Sequence, residues 1–274
     1  MNIVEVILLF ATGLLISVPS AMVGLGGGIF IVPALILIFQ LPPENAIAVS
    51  LVAISGTTIS ATLGYMRQKR VDYKLALLYD ILDVPGVAIG AYLTTLLLSR
   101  VLVGICGIFI IIISISLMRY KKNFELKSSL EGRFNKGWKR EVTHSSGEKS
   151  VYFIRNLYAP LISSFLGGLV TGLSGLGGGI TDTTTMILLG VPSHIAVASS
   201  EFAMALTNGT GVLVHGLLNN VLVDYALPLT LGTVIGAQVG CMIAKRVRAD
   251  VLRKILSIIA FLVGLRLIYS LFIF

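Results

Sequence analysis

Charged side chains are scarce in this sequence, and cysteine is almost absent. Of 274 residues, 12% are charged and 55% are apolar, and the mean hydropathy is +0.94. A soluble domain carries roughly a quarter charged residues, so the composition excludes an ordinary water-soluble enzyme and a disordered chain. Cys106 and Cys241, the two cysteines, lie in apolar stretches and match no metal-binding spacing. We therefore predict two small buried side chains, no disulfide scaffold, no metal site and no cofactor.

Basic residues are in excess, but they are clustered. The formal net charge is +8, and 18 of the 21 Lys and Arg residues fall within residues 67–74, 119–149 and 245–254. Each cluster interrupts apolar sequence, which is typical of cytoplasmic loops under the positive-inside rule. The charge therefore predicts a lipid bilayer as partner and no nucleic acid.

The apolar runs predict membrane helices, because a bilayer core needs about 20 apolar residues in helical form. Eight runs approach that length: residues 3–23, 45–66, 75–98, 101–118, 157–173, 193–215, 225–244 and 251–272. Two shorter runs, residues 29–40 and 180–189, each follow a glycine cluster. Twelve helical residues rise roughly 18 Å against a core of about 30 Å, so we expect half-helices there.

The chain also repeats itself. Three motifs recur in the same order at nearly one offset: Gly-Leu-Gly-Gly-Gly-Ile at residues 24–29 and 175–180, Val-Asp-Tyr at 71–73 and 223–225, and Gly-x-x-Ile-Gly-Ala at 86–91 and 232–237. Such self-similarity indicates an internal duplication. We predict a first transmembrane repeat over residues 1–118, a basic cytoplasmic loop over 119–154, and a second repeat over 155–274.

The charge pattern indicates that the repeats have opposite orientations. The loop before Tyr73 is basic, whereas its counterpart before Tyr225 has no Lys or Arg; the basic loop before the last helix has a counterpart with only Arg100. If the basic loops are cytoplasmic, both termini lie outside the cell membrane. The predicted fold class is all-α: a polytopic transmembrane helical protein of two inverted-topology repeats, each with a glycine-broken hairpin or half-helix plus three further helices.

The glycine clusters predict an anion site. Inverted repeats with broken helices are typical of secondary transporters, which bind substrate near the bilayer midplane. The helix starting after each cluster would present free N–H groups and a positive dipole end. The candidate binding residues are the glycines and nearby polar residues: Gly24, Gly26, Gly27, Gly28, Gly175, Gly177, Gly178, Gly179, Ser20, Ser50, Thr57, Thr58, Ser174, Thr183, Ser199, Ser200, Asn208 and Gln238. Alternatively, the glycines only permit close helix packing, and the hydroxyls bond their own helices.

Acidic residues inside membrane segments are costly, so they are functional candidates. Asp182 and Glu201 are candidates to carry a coupling proton, and Asp80 and Asp83 share one helix face. The alternative is structural: Asp182 or Glu201 caps a half-helix or pairs with Arg266.

These motifs resemble the sulfite exporter TauE/SafE family, also grouped as toluenesulfonate uptake permeases. The resemblance rests on the doubled glycine motif, Pro33, the Ala-Val-Ser of residues 48–50 and the repeat-ending Gly-x-x-Ile-Gly-Ala. It implies a permease for a small sulfur-containing oxyanion such as sulfite or an organosulfonate, working by alternating access. We expect export, because an anion leaves a negative interior favourably. The oligomeric state stays open.

Two other classes of function compete. Ser174 lies in a Gly-x-Ser-Gly motif like that of rhomboid intramembrane serine proteases, with His215 as a conceivable base; however, the first repeat has Val23 at that position while the glycines persist. We instead expect His194 and His215 to lie at the membrane interface. A cation or metal-ion permease or channel would use carboxylates, but the membrane acids do not recur between the repeats.

Overall fold

Ten helices and one β-hairpin make up the described part of the chain. The computed structural model describes residues 2–119, 138–143, 149–154, 158–244 and 249–271. The helices are α1 (Ile3–Val23), α2 (Gly28–Leu37), α3 (Pro43–Arg67), α4 (Tyr73–Leu93), α5 (Ser99–Arg119), α6 (Tyr158–Ser174), α7 (Gly179–Leu188), α8 (Ser193–Leu217), α9 (Val223–Ile243) and α10 (Ala249–Ser270). Much of the predicted basic loop, and residues 245–248 of the last basic cluster, lie outside the described residues.

Five of these helices are long and apolar enough to cross a membrane: α1, α3, α4, α5 and α9. The helices α8 and α10 have 25 and 22 residues and include charged residues, Glu201 in α8 and Arg253, Lys254 and Arg266 in α10. Two further helices, α2 and α6, are apolar but shorter. The protein is thus an all-α, multi-pass membrane protein, as the apolar runs predicted.

Local sequence explains where the helices begin and end. Gly24 ends α1 because it adopts a left-handed conformation, with φ of 78°, and donates its N–H to Ser20 O at 2.9 Å. Pro43 starts α3, where its missing N–H costs no hydrogen bond. Asp72 caps α4 by accepting the Leu75 N–H at 3.2 Å.

The helices form two bundles, each of which combines both halves of the sequence. The first bundle contains α1, α2, α3 and α9; the second bundle contains α6, α7, α8 and α4; α5 packs against α10. The bundles correspond element by element, since α9 is the fourth helix of its half as α4 is of the other. Cys106 and Cys241 are both buried and unpaired.

Glycine contacts give the relative directions of the helices in the first bundle. A methyl group on Gly232 of α9 would lie 2.1 Å from Phe10 O of α1, and one on Gly240 would lie 2.4 Å from Val18 O. The contacting residue numbers therefore increase in the same direction along both helices, so α1 and α9 run parallel. The helix α3 also runs parallel to α9: Thr233 donates to Ala53 O at 2.9 Å, and Gln238 donates to Ser60 O at 2.6 Å.

The second bundle has the same arrangement. A methyl group on Gly86 of α4 would lie 2.6 Å from Phe165 O of α6, and one on Gly90 would lie 2.4 Å from Leu169 O. Contacts from Asp72 to residue 199 and from Asp83 to residue 207 show that α4 and α8 also run parallel. Within each bundle, three long helices share one direction.

A β-hairpin in the segment between the halves was not expected from the sequence. Its strands β1 (Trp138–Thr143) and β2 (Lys149–Ile154) pair antiparallel. The hairpin packs against α4, α7 and α8 through Val142, Tyr152 and Ile154. In β1, Val142 lies between Glu141 and Thr143, whereas Tyr152 and Ile154 belong to a short apolar run over residues 151–154. A short run of β-branched and aromatic residues is the signal that could have predicted a strand.

Asp72 connects the hairpin to the second bundle through hydrogen bonds. Its buried carboxylate accepts an Arg140 Nε–H at 2.8 Å, a second N–H of the same guanidinium, and the Tyr152 hydroxyl at 2.5 Å. Burial by itself raises the pKa of this carboxyl, but these hydrogen bonds and the Leu75 N–H outweigh it, so the pKa lies below its ordinary value.

We predict that hairpin docking persists at neutral pH and is lost only in acid. A carboxyl with a lowered pKa in the folded state contributes stability above its unfolded pKa of about 3.9, and this is lost as the pH falls through the folded value. Hydrogen exchange of β1 and β2 measures the docking. Asp72→Asn keeps a capping side chain but leaves Arg140 without a counter-ion, so it should release the hairpin at neutral pH; breaking a buried pair costs about 3–5 kcal/mol.

The control for this prediction is Glu141→Gln, which removes the exposed ion pair of Glu141 with Lys149 (2.9 Å) on the same hairpin. Exchange in this variant should match the unmodified protein, because exposed pairs contribute little. Equal exchange in Asp72→Asn and Glu141→Gln would contradict the role given to Asp72.

Candidate functional site

The two glycine clusters form sharp loops between helices. Gly24, Gly26 and Gly27 have φ values of 78°, 67° and 100°, and Gly175 and Gly177 have φ values of 64° and 81°. Glycine adopts this left-handed region at little cost. The short helices α2 and α7 begin at Gly28 and Gly179, one residue earlier than the isoleucines at which the sequence analysis started them.

The two glycine loops touch each other through their backbones. A methyl group on Gly28 would lie 2.5 Å from the carbonyl oxygens of both Gly175 and Leu176. One on Gly179 would lie 2.8 Å from Gly24 O. The structure therefore brings the loops into direct contact between the two bundles, where there is no room for a side chain.

Several backbone N–H groups in these loops have no acceptor. Gly24 and Leu25 both donate to Ser20 O, at 2.9 and 3.0 Å. Among the described residues, however, no acceptor contacts the following N–H groups of residues 26–28 or those of residues 177–179. These residues lead into α2 and α7, with Gly27 and Gly178 at the N-caps and Gly28 and Gly179 at the first helical positions. A helix start leaves its N–H groups unsatisfied, and its dipole favours an anion.

Two serines at equivalent positions hold the second glycine loop. Ser50 of α3 donates to Gly175 O at 2.9 Å, and Ser200 of α8 donates to Gly179 O at 3.2 Å. Neighbouring Ser199 instead accepts the Asp72 N–H at 2.9 Å. Ser50 and Ser200 thus lie at the loops, whereas Ser199 belongs to the end of the bundle at which the hairpin docks.

Other candidate residues are occupied elsewhere. Thr57 donates to Ala53 O, Thr58 to Ile54 O and Ser174 to Val170 O, all within their own helices. Gln238 donates to Ser60 O across the contact of α9 with α3. The alternative in which hydroxyls bond their own helix backbone therefore holds for these three.

Three buried candidate side chains lack hydrogen-bond partners within the described part of the chain. They are Ser20, Thr183 and Asn208. The Ser20 hydroxyl lies 3.6 Å from the position of a methyl group on Gly27, and the Thr183 hydroxyl lies 3.3 Å from that of one on Gly24. The first glycine loop is thus flanked by two hydroxyl groups with unused hydrogen-bonding capacity.

The buried acids gather in the second bundle. Asp80 and Asp83 of α4 both contact the Thr207 hydroxyl of α8, at 2.9 and 2.7 Å. Asp182, in the first turn of α7, is fully buried and neither carboxylate oxygen has a hydrogen-bond partner; the same holds for Glu201. Across the described residues, no three Asp, Glu, His or Cys side chains lie close enough to hold one metal ion.

The alternative in which Arg266 pairs with a buried acid is wrong. Arg266 does not pair with Asp182 or Glu201, because it lies on the exposed face of α10, where its guanidinium sits 5.9 Å from the ring centre of Tyr269. His215 lies in the last turn of α8, near a helix end, but it is fully buried within the protein, with a ring nitrogen 3.5 Å from Gly172 O. His194 is exposed at the start of α8, as expected.

Sequence analysis missed Arg253. This residue of α10 is 5% exposed and lines a small pocket together with Val23, Leu25 and Thr183. The pocket therefore reaches the first glycine loop. A basic residue two positions inside an apolar run, at the edge of the 245–254 cluster, was the available signal.

Helices that are long and apolar enough to cross a membrane, together with two buried helix breaks, define a multi-pass membrane protein of the transporter class. The chain belongs to the sulfite exporter TauE/SafE family, whose sequence model matches residues 9–267. The family resemblance drawn from the glycine motifs is thereby confirmed.

Relatives extend over nearly the whole chain. The probable membrane transporter protein YunE of Bacillus subtilis (strain 168) is 35% identical over 272 residues, covering 96% of this chain and 97% of that protein. The probable membrane transporter protein YdhB of the same organism is 22% identical over 96% and 99%. The sulfite exporter TauE/SafE family protein 3 of Arabidopsis thaliana is 32% identical over 43% of this chain and 25% of its own length. No solved structure matches the chain.

We predict that Gly28→Ala disrupts the contact between the loops. Its methyl group would meet two carbonyl oxygens at 2.5 Å, so the backbone must move, which costs about 1–3 kcal/mol. Thermal unfolding in detergent measures the loss. The matched control is Gly209→Ala in α8, which has no heavy atom within 4 Å and should gain up to about 1 kcal/mol of helix propensity. Equal stability of the two variants would contradict the prediction.

Proposed function

We propose that this protein is a secondary transporter for a small sulfur-containing oxyanion such as sulfite or an organosulfonate. The observation that carries the proposal is the pair of glycine loops, which places unsatisfied N–H groups at two helix starts between the bundles. Oriented N–H groups and helix dipoles favour an anion. The hydroxyls of Ser20 and Thr183 beside the first loop add hydrogen-bond donors.

The proposal includes two inverted repeats, over residues 1–118 and 155–274. The helices α3 and α4 are joined through residues 68–72, and α8 and α9 through residues 218–222. Five residues span at most about 17 Å, less than half the roughly 37 Å length of a 25-residue helix. The helix α4 must therefore run antiparallel to α3, and α9 antiparallel to α8. Since α1 and α3 run with α9, and α6 and α8 run with α4, corresponding helices then point in opposite directions.

This arrangement also supports the proposed orientation. Of the basic segments, the described residues 67–74, 138–143 and 249–254 then lie at one end of the helices, and the start of α1 and the end of α10 lie at the other. By the positive-inside rule, the basic end is cytoplasmic in the cell membrane, and the termini are outside. The pocket beside Arg253 lies at the basic end, so we propose it as the cytoplasmic approach to the first glycine loop.

The loops must separate for the anion to bind between them. In this conformation Gly28 and Gly175 are in backbone contact. Movement of one bundle against the other would open the contact from alternate sides, which is the usual mode of transport in inverted-repeat proteins. Export of an anion is favourable by roughly 2.3 kcal/mol per charge per 100 mV, so uptake would need a coupling ion, for which Asp182 and Glu201 are candidates.

Transport by purified protein in liposomes tests the function. We expect labelled sulfite or a sulfonate such as sulfoacetate to move, with divalent cations excluded, and we expect Gly28→Ala to lower the initial rate at least tenfold. Movement of divalent cations without anions would favour the cation-permease alternative instead.

Ser174→Ala separates transport from intramembrane proteolysis. Because the Ser174 hydroxyl donates to Val170 O at 2.6 Å within its own helix, we expect the variant to transport at the unmodified rate. A variant that lost a peptide-cleaving activity while keeping its stability would support the protease reading.

A further inference from the structure

A single hydroxyl lies between two carboxylates in the second bundle. Thr207 Oγ1 is 2.9 Å from an Asp80 oxygen and 2.7 Å from an Asp83 oxygen. A threonine hydroxyl has one proton to donate, so it can satisfy only one carboxylate. At the second contact the carboxyl group must supply the proton. The geometry therefore requires at least one proton on the pair formed by Asp80 and Asp83, since two facing anions would be left unpaired in a buried site.

A third carboxylate faces this pair from another helix. The position of a methyl group on Gly178 is 3.7 Å from both Asp83 Oδ1 and Asp182 Oδ2, and 3.2 Å from the Thr171 hydroxyl. Asp182 is fully buried and both of its oxygens lack partners among the described residues, as does the hydroxyl of Tyr79. The acids of α4 and the start of α7 therefore enclose the glycine loop from two sides.

The equivalent place in the first bundle contains no acid. The repeated Gly-x-x-Ile-Gly-Ala motif aligns Gly86 with Gly232, so Asp80 corresponds to Ala226 and Asp83 to Leu229, while Thr207 of α8 corresponds to Thr57 of α3. The glycine contact beside them is the same in both bundles: a methyl group on Gly168 would lie 2.2 Å from Asp83 O, and one on Gly13 would lie 2.4 Å from Leu229 O. The same helix contact thus exists without acids in the first bundle, so the carboxylates are not needed to pack the second.

From these contacts we propose that Asp80, Asp83 and Thr207 form the proton-carrying site of the transporter, with Asp182 as its partner across Gly178. This inference rests on the proposed function and names the coupling ion and its location. A monoanion at the glycine loops then crosses together with one proton, which passes to and from the carboxyl pair as the second bundle opens to each side. The transported charge is zero.

Other ionisable groups lie farther from this pair. On α8, Glu201 comes six residues before Thr207 and His215 eight residues after it, or about 9 and 12 Å along the helix axis. The hairpin residues Arg140 and Tyr152 bind Asp72, eight residues before Asp80. Among the described residues, α6 contributes no ionisable group beyond Tyr158. Tyr79 and Asp182 are therefore the ionisable neighbours of the site.

The test uses the double variant Asp80→Thr, Asp83→Thr, which replaces both carboxyl groups by hydroxyl groups that cannot carry the proton. Liposomes containing a trapped pH indicator are given a gradient of a sulfonate whose acid group stays ionised. In the unmodified protein, the internal pH should fall as the sulfonate enters, at about one proton per anion. The variant should still exchange labelled sulfonate, but its proton flux should fall at least tenfold.

Membrane potential gives a second readout. A 100 mV potential should leave the accumulation ratio of the unmodified protein unchanged but shift that of the double variant by about 50-fold, because the variant moves the anion alone. The matched control is Asp224→Asn, an exposed acid in the first turn of α9, for which both readouts should equal those of the unmodified protein.

A third measurement does not depend on transport. The infrared band of protonated carboxyl groups at neutral pH should lose intensity when Asp83→Asn is combined with Asp80→Asn; it need not vanish, because buried Asp182 and Glu201 can contribute to the same band. An unchanged band, unchanged proton flux in the double variant, or coupling to sodium instead of protons would overturn the inference. If the unmodified protein moves no anion but the carboxyl band still loses intensity in the Asn double variant, the proposed function fails while the protonated pair stands.

Discussion

The constraint on which the structure depends is that backbone unwound inside a membrane must not face lipid. Hydrocarbon offers no hydrogen bonds, so N–H and C=O groups outside helices have to be buried in protein or to line a polar cavity. The two glycine loops meet this requirement by lying back to back: carbonyls of each loop face the start of the short helix in the other half. Each loop therefore covers part of the unwound backbone of the other, and the two bundles contact each other there.

The two bundles share one set of residues and differ in another. The glycines, Ser50 and Ser200 recur in both halves, whereas Asp80, Asp83, Asp182 and Glu201 all lie in the second bundle. A recurrent feature reflects what both halves must do, which is to break a helix and hold the break. A feature present once reflects a specialised task. Because buried acids are costly in a membrane, their confinement to one bundle points to a role in function and not in folding.

Most of the helix pattern could be predicted because long apolar runs, glycine clusters and prolines act locally. The helices α1 to α10 begin and end within a few residues of the expected positions, and only α4 ends clearly earlier, at Leu93 instead of residue 98. The partners of polar side chains could not be predicted, because they depend on which helix lies opposite. Thr57 and Ser174 bond their own helices, Ser50 reaches the other half, and Arg266 faces outward. The hairpin was missed because its apolar run, residues 151–154, is short and follows a basic, polar stretch.

The two segments that connect the hairpin to the neighbouring helices differ in length. Residues 155–157 connect it to α6 and residues 120–137 connect it to α5, so the first link spans at most about 10 Å and the second about 60 Å when extended. Its docking contacts are with α4, α7 and α8. The hairpin is therefore held to the second bundle by its docking contacts and by its shorter link, so any movement of that bundle relative to the first would carry the hairpin with it.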